Sequence, residues 1–271
     1  METFLFMTIL AMLVIAIISL IILKKKWQFS IKLFLVGLIG FALPVMMIEG
    51  PVNAVVFSGF VHSSKWFTII YGGLMAGLVE ETTRYVVFKV LAKKRSLMTS
   101  DIVAYGFGHG LSEFILLGVM GLLTYIIVLQ AIHSGQTSQL PPLLVSQVNQ
   151  LTGFAVVMSL FERLVALVLQ VLLTAWDFLA VTKHKLSFYF GAILLHATID
   201  FLAGAYQQGI VRNILLIEVM LAIYVLGVGL VTRQIWKKEE THGLILNLKS
   251  HLCPREERNF RLSKVWAQVC R

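Results

Sequence analysis

Ionisable side chains recur inside the apolar stretches of this sequence. Those that stand well inside such stretches are Glu80, Glu81, Arg84, His109, Glu113, Glu162, Arg163, His196, Asp200 and Glu218. An ionisable group at the centre of a lipid bilayer costs about 2.5–3.5 kcal/mol on insertion scales. If these stretches cross a membrane, the chain keeps far more such groups than anchoring requires, and we expect them to be paired, hydrated or functional.

Two of these groups are histidines that stand in the same pattern. His109 precedes Glu113 by four residues, and His196 precedes Asp200 by four residues. This spacing places both members of a pair on one face of an α-helix, and a neighbouring carboxylate fixes the tautomer of an imidazole and raises its basicity. A lone histidine in such a stretch is typical of packing or hydrogen bonding, but two matched pairs favour a shared chemical site.

A third cluster of charges consists of the adjacent residues Glu80 and Glu81, with Arg84 following. Adjacent side chains point about 100° apart around a helix, so one glutamate can face a site while the other pairs with Arg84. The spacings of four and three residues allow this pairing from either glutamate. Glu162 and Arg163, in another apolar stretch, are interpreted either as a structural ion pair or as support for the same site.

These residue types restrict the chemistry of the site. The sequence contains neither a Gly-x-Ser-x-Gly nor a His-Glu-x-x-His motif, so the usual zinc-protease helix is missing. What remains is water activated by a carboxylate, with the histidines as metal ligands or as oxyanion stabilisers. Two histidines and one carboxylate are a known catalytic zinc set. The sequence therefore predicts hydrolysis of a peptide bond in or near a membrane.

The elements that must position these residues are long and apolar. Of the 271 residues, 58% are hydrophobic and 14% are charged, against about 25% charged in a typical soluble domain; the mean hydropathy is +0.85. Helices of about 20 residues cross a bilayer and satisfy their own backbone there. We predict an all-α bundle with about seven transmembrane spans, at residues 3–23, 31–49, 66–92, 102–129, 150–181, 187–204 and 212–232.

Clusters of lysine and arginine predict the orientation of this bundle. They follow the first, third and last predicted spans, at 24–26, 93–95 and 233–238, and basic loops face the cytoplasm. We therefore place the N-terminus outside and the C-terminus inside, with a transmembrane domain at 1–232 and a basic cytoplasmic tail at 233–271. The net charge of +9 is assigned to topology and to anionic lipids, and no nucleic-acid partner is predicted.

The charged groups lie at similar depths along the predicted helices, in one layer near the middle of the membrane. Glu80 lies 13 residues from Lys93 at the inner flank of its span, which is ~20 Å along a helix, and Glu113 and Asp200 lie at similar depths. His109 and His196 lie one turn nearer the cytoplasm. Three helices therefore present carboxylates and imidazoles to one small volume if they pack together.

Glycines accompany two of these clusters. They are Gly72, Gly73, Gly77, Gly106, Gly108 and Gly110. Small residues let membrane helices approach closely, and we interpret these glycines as helix-packing residues; the alternative is that they open space for the backbone of a substrate.

Four stretches carry a resemblance to a known family. They are Glu-Glu-Thr-Thr-Arg at 80–84, Gly-Phe-Gly-His-Gly-Leu-Ser-Glu at 106–113, Phe-Glu-Arg at 161–163 and Leu-Leu-His-Ala-Thr-Ile-Asp at 194–200. Together they resemble the YhfC family of bacterial intramembrane proteases. That family is related to the CAAX-prenyl protease and bacteriocin-processing group, and more distantly to PrsW. The resemblance covers the chain from about residue 66 to residue 204.

The resemblance implies a role for each matching residue. Glu80 would be the catalytic base that activates water, and Glu81 would support it together with Arg84. The two histidines would orient the water, stabilise the oxyanion or bind a metal such as zinc; they are His109 and His196. The aspartate at 200 takes the place of an Asn or Asp that follows the last histidine. The wider group includes metalloproteases and metal-free glutamate-dependent enzymes, and both types stay open here.

The resemblance also implies a setting, and two departures accompany it. The setting is a multi-pass protein of the bacterial plasma membrane, surrounded by lipid and acting on a membrane protein or peptide. The Glu-Glu-x-x-Arg spacing is one residue shorter than in the CAAX-protease group. Gln170 stands in the fifth span where YhfC-like proteins are expected to carry a histidine, which weakens any ligand role at that position.

Two other functions also account for charged groups inside the membrane. A proton-coupled transporter uses midplane acids and histidines as a relay, although the sequence shows no clear inverted repeat. A non-catalytic immunity or scaffold protein descended from a protease would keep the same residues without using them.

Overall fold

The computed structural model describes residues 1–59 and 64–252, and every regular element in these residues is helical. The helices are α1 (Glu2–Trp27), α2 (Ile31–Pro44), α3 (Gly50–Gly59), α4 (Lys65–Ala92), α5 (Thr99–Glu113), α6 (Met120–His133), α7 (Pro142–Asn149), α8 (Gly153–Thr182), α9 (Leu186–Gln207) and α10 (Ile214–Leu252). A π-helical turn, Val45–Glu49, joins α2 to α3, and a second, Phe114–Val119, joins α5 to α6.

Side-chain caps fix where several of these helices begin. The hydroxyl oxygens of Ser30, Ser64 and Thr152 each accept a hydrogen bond from the backbone N–H three residues on, at the starts of α2, α4 and α8. Such caps satisfy N–H groups that have no partner within the helix. At the start of α5, Asp101 accepts from the backbone N–H of Met98 at 2.8 Å.

Six helical segments of the described chain are long and apolar enough to cross a membrane. They are Glu2–Trp27, Ile31–Gly59, Thr99–His133, Gly153–Thr182, Leu186–Gln207 and Ile214–Glu239. The third predicted span, at residues 66–92, coincides with α4, which has the required length at 28 residues but is made more polar by Glu80, Glu81 and Arg84. The predicted all-α, multi-pass membrane fold is confirmed, and α4 accounts for the difference in the number of spans. The predicted orientation stays a prediction.

The chain divides into two compact units, Met1–Val228 and the part that begins at Gly229. The last helix continues past residue 232, where the sequence predicted the end of the transmembrane domain, and runs to Leu252. Residues 253–271 of the predicted tail lie outside the described residues. The domain boundary and the cytoplasmic location of the tail stay predictions.

Glycines on α5 allow that helix to touch its neighbours closely. A Cβ atom on Gly108 would lie 2.2 Å from the carbonyl oxygen of Phe34 on α2, and one on Gly37 would lie 2.3 Å from a carbonyl oxygen of α5. Gly106 and Gly110 approach α8 in a similar way. Because no side chain fits at these points, α5 is held between α2 and α8 with His109 facing inward.

The contact between α4 and α9 also depends on glycines. A Cβ atom on Gly73 would lie 2.9 Å from the carbonyl oxygen of Ala197, and one on Gly77 would lie 2.9 Å from that of Ile193. Gly72 differs, because a Cβ atom there would meet nothing within 4 Å in the described chain. Five of the six glycines singled out in the sequence therefore pack helices together, and one borders open space.

Apolar residues complete the bundle in two ways. A buried cluster joins α8, α9 and α10 and consists of Leu169, Leu173, Ala192, Ile199, Ile217, Leu221, Val225 and Val228. On α1, large apolar side chains such as Phe4 and Met7 are 56% and 61% exposed, as expected for a helix face that meets lipid tails. The helices α4 and α9 also expose apolar residues, such as Leu78 and Leu194, while their charged residues Glu80 and His196 are buried between helices.

Candidate active site

The carboxylate of Glu80 lies beside the imidazole of His109. Both side chains are buried, and the distance from His109 Nε2 to Glu80 Oε2 is 2.8 Å. An ionised carboxylate only accepts hydrogen bonds, so Nε2 carries the proton when Glu80 is ionised. The other ring nitrogen, Nδ1, makes no hydrogen bond to any described residue. The imidazole is held by rings of α2 and α5, since the ring centroids of Phe41 and Tyr105 lie 5.2 Å and 5.9 Å away.

The second histidine, His196 on α9, faces the same glutamate. Its Nδ1 atom lies 2.5 Å from Glu81 Oε1, which fixes the orientation of the ring. Its Nε2 atom lies 3.8 Å from Glu80 Oε2 and 3.6 Å from Asp200 Oδ2. The Nε2 atoms of both histidines therefore point at one oxygen of Glu80.

Glu81 and Arg84 form a buried ion pair behind His196. The guanidinium of Arg84 contacts Glu81 Oε2, and both side chains are fully buried. Arg84 Nη2 also donates to Gln170 Oε1 on α8, at 2.5 Å. Of the two pairings that the sequence allowed for Arg84, the structure has the one with Glu81, three residues away. Glu80 is left to face the two imidazoles.

Gln170 connects two halves of the charged network. Its Oε1 atom accepts from Arg84. Its Nε2 atom donates to Glu113 Oε2 at 2.7 Å and lies 3.4 Å from Glu80 Oε2. Glu113 also accepts from Arg163 at 2.9 Å. The carboxylate beside His109 is therefore Glu80, from another helix, because Glu113 turns towards α8 instead.

The outer part of the network consists of Glu162 and Arg163 on α8. Arg163 donates to Glu113 and, at 2.5 Å, to Glu162. Its side chain is 16% exposed and that of Glu162 is 28% exposed, so this end is less enclosed than the Glu81–Arg84 pair. Direct contacts and Gln170 thus bring all nine residues predicted from the sequence into one continuous network.

A cavity of about 280 Å³ borders this network. Its wall includes Glu80, Glu113, His196 and Asp200, together with the open face of Gly72. A water molecule occupies ~30 Å³ in the liquid, so the cavity has room for several waters beside the carboxylate of Glu80. One oxygen of Asp200, Oδ2, is buried there and makes no hydrogen bond within the described chain.

Three residues near the site were not predicted from the sequence to act in it. Gln170 was noted only as a departure from the family pattern, although a glutamine inside an apolar span is itself a signal. Glu49 lines the cavity at the π-helical turn after α2, and the extra residue of such a turn cannot be recognised from helical periodicity. Asp177 is fully buried, lies seven residues after Gln170 and interacts electrostatically with Arg84.

Comparison with known proteins identifies the family. The sequence model of a family described as YhfC intramembrane metalloprotease matches residues 11–221. The chain belongs to the YhfC family. It is 30% identical over 215 residues to a Bacillus subtilis (strain 168) protein named "Uncharacterized membrane protein YhfC", and the match covers 74% of this chain and 83% of that protein. No solved structure matches the chain.

The description of the YhfC family as metalloproteases can be compared with the donor atoms of the site. Histidine and carboxylate are the ligand types that catalytic zinc uses, and here the Nε2 atoms of His109 and His196 approach a common carboxylate oxygen. Asp200 Oδ2 has no hydrogen bond from another described residue. The bond from His196 Nδ1 to Glu81 is the outer contact that orients metal-bound histidines. In the described chain no three such side chains already form a ligand set, but the donor types fit a metal.

Proposed function

We propose that this YhfC family member is an intramembrane peptidase that hydrolyses a peptide bond of a membrane protein or membrane-bound peptide. The observation that carries the proposal is the position of the Glu80 carboxylate, between the Nε2 atoms of His109 and His196 at the wall of a cavity inside the helical bundle. Maintaining a buried carboxylate and two imidazoles inside membrane helices is costly, and hydrolysis uses all three.

Glu80 acts as the general base in this proposal. Its carboxylate removes a proton from a water molecule in the cavity while the water oxygen bonds to the carbonyl carbon of the substrate. The peptide C–N bond then breaks, and the same proton passes from Glu80 to the leaving nitrogen. The bond from His109 holds the carboxylate in place for both transfers.

His196 acts at the oxygen of the scissile carbonyl or as a metal ligand. The bond between Nδ1 and Glu81 leaves Nε2 facing the cavity. A protonated ring offers an N–H at that position to an oxyanion, whereas a neutral ring offers a lone pair. Arg84 fixes Glu81 and so acts as a positioning residue for His196.

If the enzyme is metal-dependent, His109 and His196 would hold the metal together with a carboxylate, for which Asp200 has an oxygen that makes no hydrogen bond to any described residue. A bound zinc ion would polarise the substrate carbonyl and favour ionisation of a water molecule. Metal analysis of the purified protein tests this part separately. Wild type with about one equivalent of metal, and His196→Ala with far less, would support a metalloprotease.

The decisive experiment compares membrane-protein fragments from cells that contain wild type, Glu80→Gln or Glu2→Gln. Glu2 lies at the start of α1, with a side chain that is 40% exposed and 3.6 Å from His133, and it provides a matched control. We expect a set of fragments that appears with wild type and Glu2→Gln and is lost with Glu80→Gln.

The other two candidate functions give different results in this experiment. A transporter would show no fragment that depends on the protein, while transport would be sensitive to charged groups at the midplane. A scaffold would keep its cellular phenotype in Glu80→Gln and in His109→Ala. The peptidase proposal is abandoned if no fragment distinguishes wild type from Glu80→Gln.

A further inference from the structure

A second cavity lies away from the catalytic residues, among α6, α8, α9 and α10. Its volume is about 230 Å³, and its polar lining residues are Glu162, Glu218, Tyr125, Tyr206, Ser159 and Gln207. The remaining wall is largely apolar and includes Leu122. All of these residues belong to the compact unit Met1–Val228.

Glu218 is the most unusual residue of this cavity. It is only 3% exposed, and its Oε2 atom makes no hydrogen bond to any residue that the structure describes. A buried carboxylate oxygen without a partner is costly in a protein interior and more so in a membrane-spanning helix. An occupant that donates hydrogen bonds would satisfy it.

The charges around Glu218 indicate the sign of that occupant. Glu162 lies on the same wall, and the cation nearest to it, Arg163, already binds both Glu162 and Glu113. The cavity wall itself carries two carboxylates, Glu162 and Glu218, and no Lys or Arg of the described chain lines it, so it favours a further cation when both are ionised. Two tyrosines also line the wall, and aromatic rings attract cations.

A small third cavity links this region to the candidate active site. It shares Glu162 and Leu221 with the second cavity, and Glu113 and Asp200 with the catalytic one. Ala203 of α9 lines all three. Gln207 of α9 also lines both the catalytic and the second cavity. The two cavities are therefore neighbours along α9, and Glu218 lies in the one next to the Glu80 carboxylate.

We propose that the cavity of Glu162 and Glu218 is a specificity subsite for a basic side chain, lysine or arginine, of the segment that the enzyme cleaves. The apolar wall packs against the methylene stem, and the carboxylate of Glu218 accepts hydrogen bonds from the ammonium or guanidinium group. This inference rests on the proposed peptidase function, because that function supplies the chain segment.

Binding is the direct test, since it does not require cleavage. The probes are a series of membrane-spanning peptides made of leucine and alanine. Each peptide carries one lysine, and the position of this lysine moves by one residue from peptide to peptide within one half of the sequence. A matched series carries glutamine in place of lysine. Their affinities are measured for Glu80→Gln protein in lipid nanodiscs, alone and combined with Glu218→Gln or Glu2→Gln. A variant is compared only if its affinity for the glutamine peptides and its elution volume in size-exclusion chromatography equal those of the Glu80→Gln protein, because such a variant is folded.

We expect the peptide with lysine at one particular position to bind at least about tenfold more tightly than the matched glutamine peptide. A tenfold change in affinity corresponds to the free energy of one charge-assisted hydrogen bond. Glu218→Gln should remove this preference and Glu2→Gln should keep it. Equal binding of lysine and glutamine peptides at every register, or a preference that survives Glu218→Gln, overturns the subsite.

The binding result separates this inference from the peptidase proposal. A lysine preference without any fragment that depends on Glu80 would leave the subsite as a cation-binding site and reject the peptidase. Fragments that depend on Glu80, but without a lysine preference, would keep the peptidase and reject the subsite.

Discussion

Glu80 and Glu81 are neighbours in the chain but lie in opposite surroundings. Glu81 is fully buried between Arg84 and His196, with a close contact on each of its two oxygens. Glu80 has one close partner, His109, and its other neighbours lie at 3.4 Å and 3.8 Å. Glu81 therefore lies in a closed network of fixed charges, whereas Glu80 borders a cavity.

This difference separates two uses of a buried charge. A carboxylate with a permanent cation on one side holds structure together, because removing either partner strands the other in a medium of low polarity. A carboxylate that faces water and imidazoles can accept and release a proton. Substitutions at the two positions should therefore affect different measurements.

The largest effect is expected for Glu80→Gln. The amide keeps the size of the side chain but cannot act as a base, so the cleavage rate should fall by about 10²–10⁴-fold. The melting temperature should stay close to that of wild type, since glutamine can still accept a hydrogen bond from His109. Fragment yield and thermal unfolding in the same detergent measure both. A large loss of stability would place Glu80 with Glu81 among the structural charges.

The next largest effect is expected for Glu81→Ala, and it should be an effect on stability. The substitution leaves the fully buried Arg84 without its main partner, which costs about 3–5 kcal/mol for a broken buried pair. Thermal or denaturant unfolding in micelles measures the loss. Glu81→Ala combined with Arg84→Met should recover part of it, and Glu2→Ala, which removes only a surface contact, should cost less than about 1 kcal/mol. An unchanged unfolding transition in Glu81→Ala would contradict the structural role.

A smaller effect is expected for Gln170→Leu, which cuts the link between the two regions. Arg84 and Glu113 each lose a hydrogen bond inside the bundle, and leaving such groups unsatisfied costs about 1–3 kcal/mol. Gln150→Leu is the control, because Gln150 lies exposed beyond α7. The free energy of unfolding and the yield of fragments should both be lower for Gln170→Leu than for wild type. If neither changes, the two halves of the network are independent.

The smallest effect is expected for Arg95→Gln, in the loop between α4 and α5. Arg95 makes two hydrogen bonds to Asp101, at 2.7 Å and 2.8 Å, and this contact raises the pKa of Arg95. The side chain of Arg95 is 36% exposed and that of Asp101 is 2% exposed, so solvent screens the pair from one side only. Glutamine can still donate to Asp101, and the substitution should cost about 1 kcal/mol. The unfolding free energy should respond to salt in wild type and less in Arg95→Gln. A loss as large as that of Glu81→Ala would remove the distinction between fully buried and partly exposed pairs.

Much of the fold and part of the site follow from the sequence. Apolar length predicts the helices, and the level of Glu80, His109 and His196 along them predicts that they meet. The choice of partner does not follow, because it depends on side-chain reach between helices. Spacing pairs His109 with Glu113, whereas the structure pairs His109 with Glu80 of another helix.

Irregular backbone and long-range links are the parts that periodicity misses. The π-helical turn Val45–Glu49 changes which face of the chain meets the cavity, and an ideal helix offers no sign of it. Gln170 joins three helices only because α4, α5 and α8 meet at that point. The helix α4 carries buried charges that its neighbours enclose, and it is the predicted span that is not apolar enough to be recognised as a membrane span.

The absence of a side chain at Gly72 has a consequence for engineering this protein. Gly72 faces open space next to Gly73, which is locked against α9. Alanine, valine and leucine at position 72 would fill the cleft step by step without loosening the helix contact behind it. Substitutions at this single position would therefore reduce the volume of the cavity in steps, starting from glycine, the smallest residue.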